Sequence, residues 1–111
     1  MNKTIQRTLE KAILEASTSF KVILLTGPRQ VGKTTLLQEA HKQSRSYVTL
    51  DDLNMRLAAQ QDPASFLDRL ELPVLIDEVQ YAPNLFPYIK MVVDKTKQNG
   101  LFWLTGSQQF D

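Results

Sequence analysis

The chain has 111 residues, 13 Lys plus Arg against 12 Asp plus Glu, one histidine and no cysteine. That length suits one domain, and 42% apolar with 23% charged residues excludes a disordered or low-complexity chain. A net charge of +1 gives no basic excess for nucleic acid, and the cysteine and histidine counts exclude a disulfide framework, a thiolate metal site and a histidine cluster.

Ile5, Leu9, Ala12, Ile13 and Ala16 recur at helical spacing, with Lys3, Arg7, Glu10, Lys11 and Glu15 between them. The pattern predicts an amphipathic helix over about residues 4–16. Val22-Ile23-Leu24-Leu25 is a continuous β-branched run that suits a strand buried on both faces of a parallel sheet. Helix is predicted from Lys33 to Ala40, and a second strand at Tyr47-Val48-Thr49-Leu50, closed by Asp51-Asp52, which can cap the next helix. Leu53, Leu57 and Ala58 support a short helix there. Asp62-Pro63 starts another, with Phe66, Leu67 and Leu70 on one face. Pro73-Val74-Leu75-Ile76 is a third strand, ending at Asp77-Glu78. Asn84 is placed to cap a helix with Leu85, Tyr88, Ile89, Val92 and Val93 inward, and Pro87 falls harmlessly in its first turn. Asn99-Gly100 turns into the last strand, Leu101-Phe102-Trp103-Leu104-Thr105. Strands alternating with helices imply βαβ units, a parallel sheet and helices on both faces.

The residues before the first helix are polar, with no apolar core of a leader peptide, and apolar runs of about five residues fall short of the roughly 20 that span a bilayer. A soluble cytoplasmic protein without a membrane partner is expected.

Gly27-Pro28-Arg29-Gln30-Val31-Gly32-Lys33-Thr34 matches G-x-x-x-x-G-K-[ST] between a strand and a helix, the context this motif requires. Gly27 permits the sharp exit from the strand, and Gly32 permits close approach of the backbone to phosphate. Loop N–H groups and the helix N-terminus cradle the anion. Lys33 reaches the β/γ-phosphates, Thr34 offers its hydroxyl to Mg²⁺, and Thr35 can touch the α-phosphate.

Asp77 and Glu78 end a buried strand, at the edge where parallel sheets bind ligands. Asp77 is the candidate magnesium ligand, and Glu78 the candidate base that orients the attacking water. Alone, this pair can equally be a strand end capping a turn; the neighbouring phosphate motif favours chemistry. Leu104-Thr105-Gly106-Ser107-Gln108 ends another strand on the same edge, where Ser107 or Gln108 can reach the γ-phosphate or the water; a polar turn is the plain alternative for each.

These elements together resemble the P-loop ATPases with an extra strand between the Walker strands, as in the AAA+ superfamily. Leu24 to Thr35, Leu50-Asp51-Asp52, Leu75 to Gln80 with Pro83-Asn84-Leu85, and Leu104 to Ser107 are similar to one prokaryotic group, in which an N-terminal AAA-type ATPase domain precedes a C-terminal domain of unknown function. The likeness covers about residues 20–109. It implies a three-layer P-loop sandwich with sheet order 5-1-4-3-2, ATP with Mg²⁺ as cofactors, Asp77 as magnesium ligand, Glu78 as catalytic glutamate and Ser107 as the sensor-1 position. Family members are several times longer, so the resemblance implies a fifth strand, a lid and distal arginines beyond Asp111. One incomplete domain is therefore expected, with the N-terminal helix over about 4–16 and the nucleotide-binding core over about 20–111. Without strand five, Val22–Leu25 becomes an edge, and pairing through it predicts self-association or a partner domain.

The leading functional expectation is an ATPase core coupled to a missing domain. A nucleotide-binding interaction module with negligible turnover is a second reading, since no arginine finger is evident. A small-molecule or nucleotide kinase is a third, disfavoured by the tandem Asp77-Glu78. A GTPase is disfavoured because Asp77-Glu78-Val79-Gln80 lacks the glycine of D-x-x-G. His41, Arg29 and the Lys90, Lys95 and Lys97 group read first as solvated charges; contact of Arg29 with a neighbour's nucleotide and of the lysines with nucleic acid are the lesser alternatives, so nucleic acid is possible but not indicated. Asp51 and Asp52 read as caps or as contacts to metal-bound water, Phe102 and Trp103 as core, and Tyr81 as a core cover or a stacking surface.

Overall fold

The apolar runs at 22–25, 74–76 and 101–104 become strands of one sheet, and the latter two, central in it, bury both faces between two layers of helix. The computed structural model describes residues 3–26 and 29–107, with the side chains of 7–26 and 35–107. Along the chain run α1 (Lys3–Ser19), β1 (Val22–Thr26), α2 (Arg29–Lys42), β2 (Ser46–Thr49), α3 (Leu53–Gln61), α4 (Pro63–Asp68), β3 (Val74–Asp77), a 3₁₀ turn (Val79–Tyr81), α5 (Leu85–Asp94) and β4 (Phe102–Gly106). All strand pairs are parallel, in the order β1-β4-β3-β2. This is the expected order for the first four strands of a P-loop sandwich.

Alternate strand residues divide between two layers. Val48, Val74, Ile76, Phe102 and Leu104 pack with Ala59, Phe66, Leu67, Leu85, Ile89 and Val93 from α3, α4 and α5. Leu75 and Trp103 pack on the other face with Ile13 of α1 and Leu36 and Ala40 of α2. Trp103 is fully buried, so truncating it to Ala costs about 3–5 kcal/mol.

The amino edge of the sheet is closed by polar contacts. Trp103 Nε1 donates to Ser17 Oγ at 3.2 Å, and Gly100 N–H donates to Phe20 O at 2.8 Å, docking the end of α1. The Arg45 guanidinium lies 3.8 Å over the Trp103 ring and donates at 3.4 Å to the carbonyls of Val74 and Leu101. Burial pushes Arg45 down to about 10, and its Nε finds no hydrogen-bond partner among the described residues.

Several elements differ from expectation. Helix α2 begins at Arg29, four residues before Lys33, so 29–32 are helical; one glycine in a helix costs only about 1 kcal/mol. β1 is not buried on both faces: Leu24 is 46% exposed, because the α3–α5 layer covers β3 and β4 rather than the rim strand. In α3 the core residue is Ala59, whereas Leu53 and Leu57 face outward. Arg56 sets that rotation, with Nε donating to Leu50 O at 2.9 Å and its guanidinium 3.6 Å over Tyr81. Tyr88 is exposed, since it lies about 100° round the helix from Ile89. Asp52 and Asp62 do cap α3 and α4, accepting from Asn54 and Met55 N–H and from Ser65 N–H respectively. Asn84 instead donates its side-chain amide to Gln60 O at 2.9 Å, tying α5 to α3.

Candidate functional site

The carboxyl ends of β2, β3 and β4 meet at one sheet edge. Thr49 is in register with Asp77, and Ile76 with Leu104, which places Thr105 beside Asp77. Asp77 follows Leu75 by two residues, so it lies on the α1–α2 face. The same face receives Leu36 of α2, one residue after the buried Thr35.

Asp77 is 1% exposed and sits in a cradle of hydroxyls. Thr105 Oγ1 donates to its Oδ1 at 2.6 Å. Thr49 Oγ1 and Tyr47 Oη donate to its Oδ2 at 2.9 and 3.1 Å. Burying a carboxylate is costly unless it is hydrogen-bonded, and three hydroxyl donors meet that need.

Glu78 leaves the strand in the left-handed region, φ 60° and ψ 46°. Successive strand residues point to opposite faces, so an extended Glu78 would be aimed away from Asp77. The left-handed turn breaks that alternation, at a cost of order 1–3 kcal/mol for a residue with a side chain. Its N–H donates to Thr105 Oγ1 at 3.2 Å, so one threonine serves both acidic residues. The Glu78 carboxylate accepts from Gln80 Nε2 at 3.2 Å, and the Ser107 N–H donates to Gln80 Oε1 at 3.4 Å.

The structure thus brings Asp77, Glu78 and Ser107 to one edge, together with the helix that carries Lys33, Thr34 and Thr35. Arg29 to Thr34 are described as helical backbone only, and Gly27, Pro28 and Gln108 lie outside the described residues. His41, Lys90 and Lys95 are exposed, and Lys90 is paired with Asp94 at 2.8 Å. Among the described residues no group of three or more His, Cys, Asp or Glu stands close enough to hold a metal ion, and no helix is long and apolar enough to cross a membrane.

Tyr47, Thr49, Thr105 and Gln80 were not assigned to the site from sequence. For Thr105 a signal exists: it closes an apolar strand run, and a parallel sheet brings such ends to one edge. The reach of Tyr47 depends on register, which sequence does not show.

An all-parallel sheet in this order, helices on both faces and an acidic pair at the carboxyl edge define a P-loop NTPase-like α/β sandwich. A family model described as an AAA domain matches residues 19–111, and the chain belongs to that family. It is 42% identical over 94 residues to an uncharacterized protein of Mycobacterium bovis and, to the same extent, to one of Mycobacterium tuberculosis. Each alignment covers 81% of this chain and 20% of the relative, so the chain spans about one fifth of the length of the curated relatives it matches. No solved structure matches it significantly.

Proposed function

We propose that this AAA domain binds ATP with magnesium and hydrolyses it, and that the cycle changes the conformation of a C-terminal domain or partner. The observation that carries the reading is the buried Asp77-Glu78 pair, held at the carboxyl edge of β3 on hydroxyls from two neighbouring strands. A simple strand end would leave such carboxylates in water; here the fold supplies donors to keep them inside.

The donor set fits magnesium: a carboxylate among hydroxyls offers only hard oxygen ligands, and this ion takes one or two carboxylates together with substrate phosphates. Asp77 and the hydroxyl of Thr34 are the residues to hold it, and when bound it offsets charge on the phosphate oxygens. Gly27 to Thr35 bind the phosphates, with Lys33 supplying the positive charge. Glu78 accepts a proton from the attacking water, and Ser107 contacts the γ-phosphate end. The αL backbone of Glu78 supports its role, because strain of this kind clusters where a side chain is aimed for chemistry.

Calorimetric titration with ATP and Mg²⁺, against GTP, tests the reading. Saturable binding that prefers ATP, with phosphate release that requires Mg²⁺, is the expected result. Binding without release supports an interaction module instead, and no binding to the folded chain removes the nucleotide reading altogether.

A further inference from the structure

We propose that Gln80 is a positioning residue for Glu78, fastening its carboxylate to the exit of β4; the inference rests on the reading of Glu78 as the base. Gln80 lies half-buried in the 3₁₀ turn two residues after Glu78. Its Nε2 donates to Glu78 Oε2 at 3.2 Å, and its Oε1 accepts from the Ser107 N–H at 3.4 Å. The two contacts fix the orientation of the amide, because an ionised carboxylate only accepts and a backbone N–H only donates. A flipped amide would oppose oxygen to oxygen and hydrogen to hydrogen.

Glu78 is thereby attached to β4 twice. Its main-chain N–H is held by the Thr105 hydroxyl, and its carboxylate is held, through Gln80, by the main chain of Ser107. Thr105 and Ser107 lie on either side of Gly106, the last residue of β4. A shift of this strand exit therefore moves the carboxylate along with the backbone that carries it. A phosphate that engages Ser107 pulls on the same amide that orients the base. Occupancy of the γ-phosphate position and aim of the base become one mechanical event, and Gln80 is the joint between them. A hydrogen bond to a charged group of this kind is worth about tenfold to hundredfold when its benefit falls on the reaction step rather than on binding.

Two variants and two readouts test this. Gln80→Met keeps the length and loses both hydrogen bonds. Gln80→Glu keeps the acceptor toward Ser107 and sets a second carboxylate against Glu78. Both are expected to lower kcat by about tenfold to hundredfold, with the Kd for MgATP within about twofold of wild type. Wild-type kcat in Gln80→Met overturns the proposal, as does a loss confined to binding or to thermal stability. The second readout needs no turnover: Glu78→Gln should shift the backbone amide resonance of Ser107 in the Gln80 background and leave it in place in the Gln80→Met background. Equal shifts in both backgrounds overturn the bridge. A chain that turns over no ATP yet shows the background-dependent shift keeps the bridge and loses the ATPase reading instead.

Discussion

Thr105→Val removes one oxygen and keeps the shape, and the structure sets the cost. The hydroxyl donates to Asp77 Oδ1 at 2.6 Å and accepts from Glu78 N–H at 3.2 Å, with Thr105, Asp77 and Glu78 exposed by 5%, 1% and 3%. A hydrogen bond to a charged partner is worth about 1.5–3 kcal/mol, and a buried N–H left without its acceptor costs about 1–3 kcal/mol. The extra methyl returns about 0.8 kcal/mol by apolar burial, and local relaxation trims the remainder. The net expectation is a loss of about 2–4 kcal/mol, or roughly 8–16 °C at about 4 °C per kcal/mol for a chain of this size. Urea unfolding followed by fluorescence reads it directly, because Trp103 is the one tryptophan and is fully buried. Thr49→Val is the comparison: Asp77 Oδ2 retains Tyr47 Oη, so about 1 kcal/mol is expected. A Thr105→Val loss below about 0.5 kcal/mol with an unchanged m-value refutes the view that this hydroxyl holds both acidic residues.

Lys33→Ala should weaken ATP binding in calorimetry, and equal affinity in variant and wild type counts against the phosphate motif. Glu78→Gln should bind ATP as wild type does while phosphate release falls to background; undiminished release removes Glu78 from the role of base. Gly100→Ala should destabilise by about 2–3 kcal/mol in the same urea assay, because Gly100 has φ +72° and an added Cβ would meet Ser17 Oγ and come within 2.9 Å of Ser17 O. The chain should self-associate through the rim strand β1, and Leu24→Lys, at a position 46% exposed, should reduce this; light scattering that shows a clean monomer of wild type at high concentration sinks the idea.

The layered sheet was legible because its strands are short continuous apolar runs set between helical periods. Caps at Asp52 and Asp62 were legible for the same local reason: a side-chain oxygen before a helix accepts from its first N–H groups. Helix rotation was not. Arg56 turns α3 by stacking on a tyrosine 25 residues away in the chain, and no periodicity within α3 encodes that. The left-handed Glu78 was equally hidden, since a residue with a side chain gives no hint of positive φ. At the site, the acidic pair announced itself by type and place, whereas its supporting hydroxyls belong to strands made neighbours only by the sheet order. A threonine at a strand end looks ordinary until the register sets it beside a carboxylate.

The strand order also fixes a length. β4 stands between β1, which leads into the glycine-lysine motif, and β3, which ends at Asp77 just before Glu78. Neighbouring strands lie about 4.8 Å apart, so the two ends are held roughly 9.6 Å apart across the sheet. Main-chain hydrogen bonds maintain that gap, and side-chain volume has little leverage over it. Substitutions in the core can loosen the carboxyl edge, but they do not narrow it. The interposed strand is a gauge block: it sets the spacing between the exit of β1 and the exit of β3.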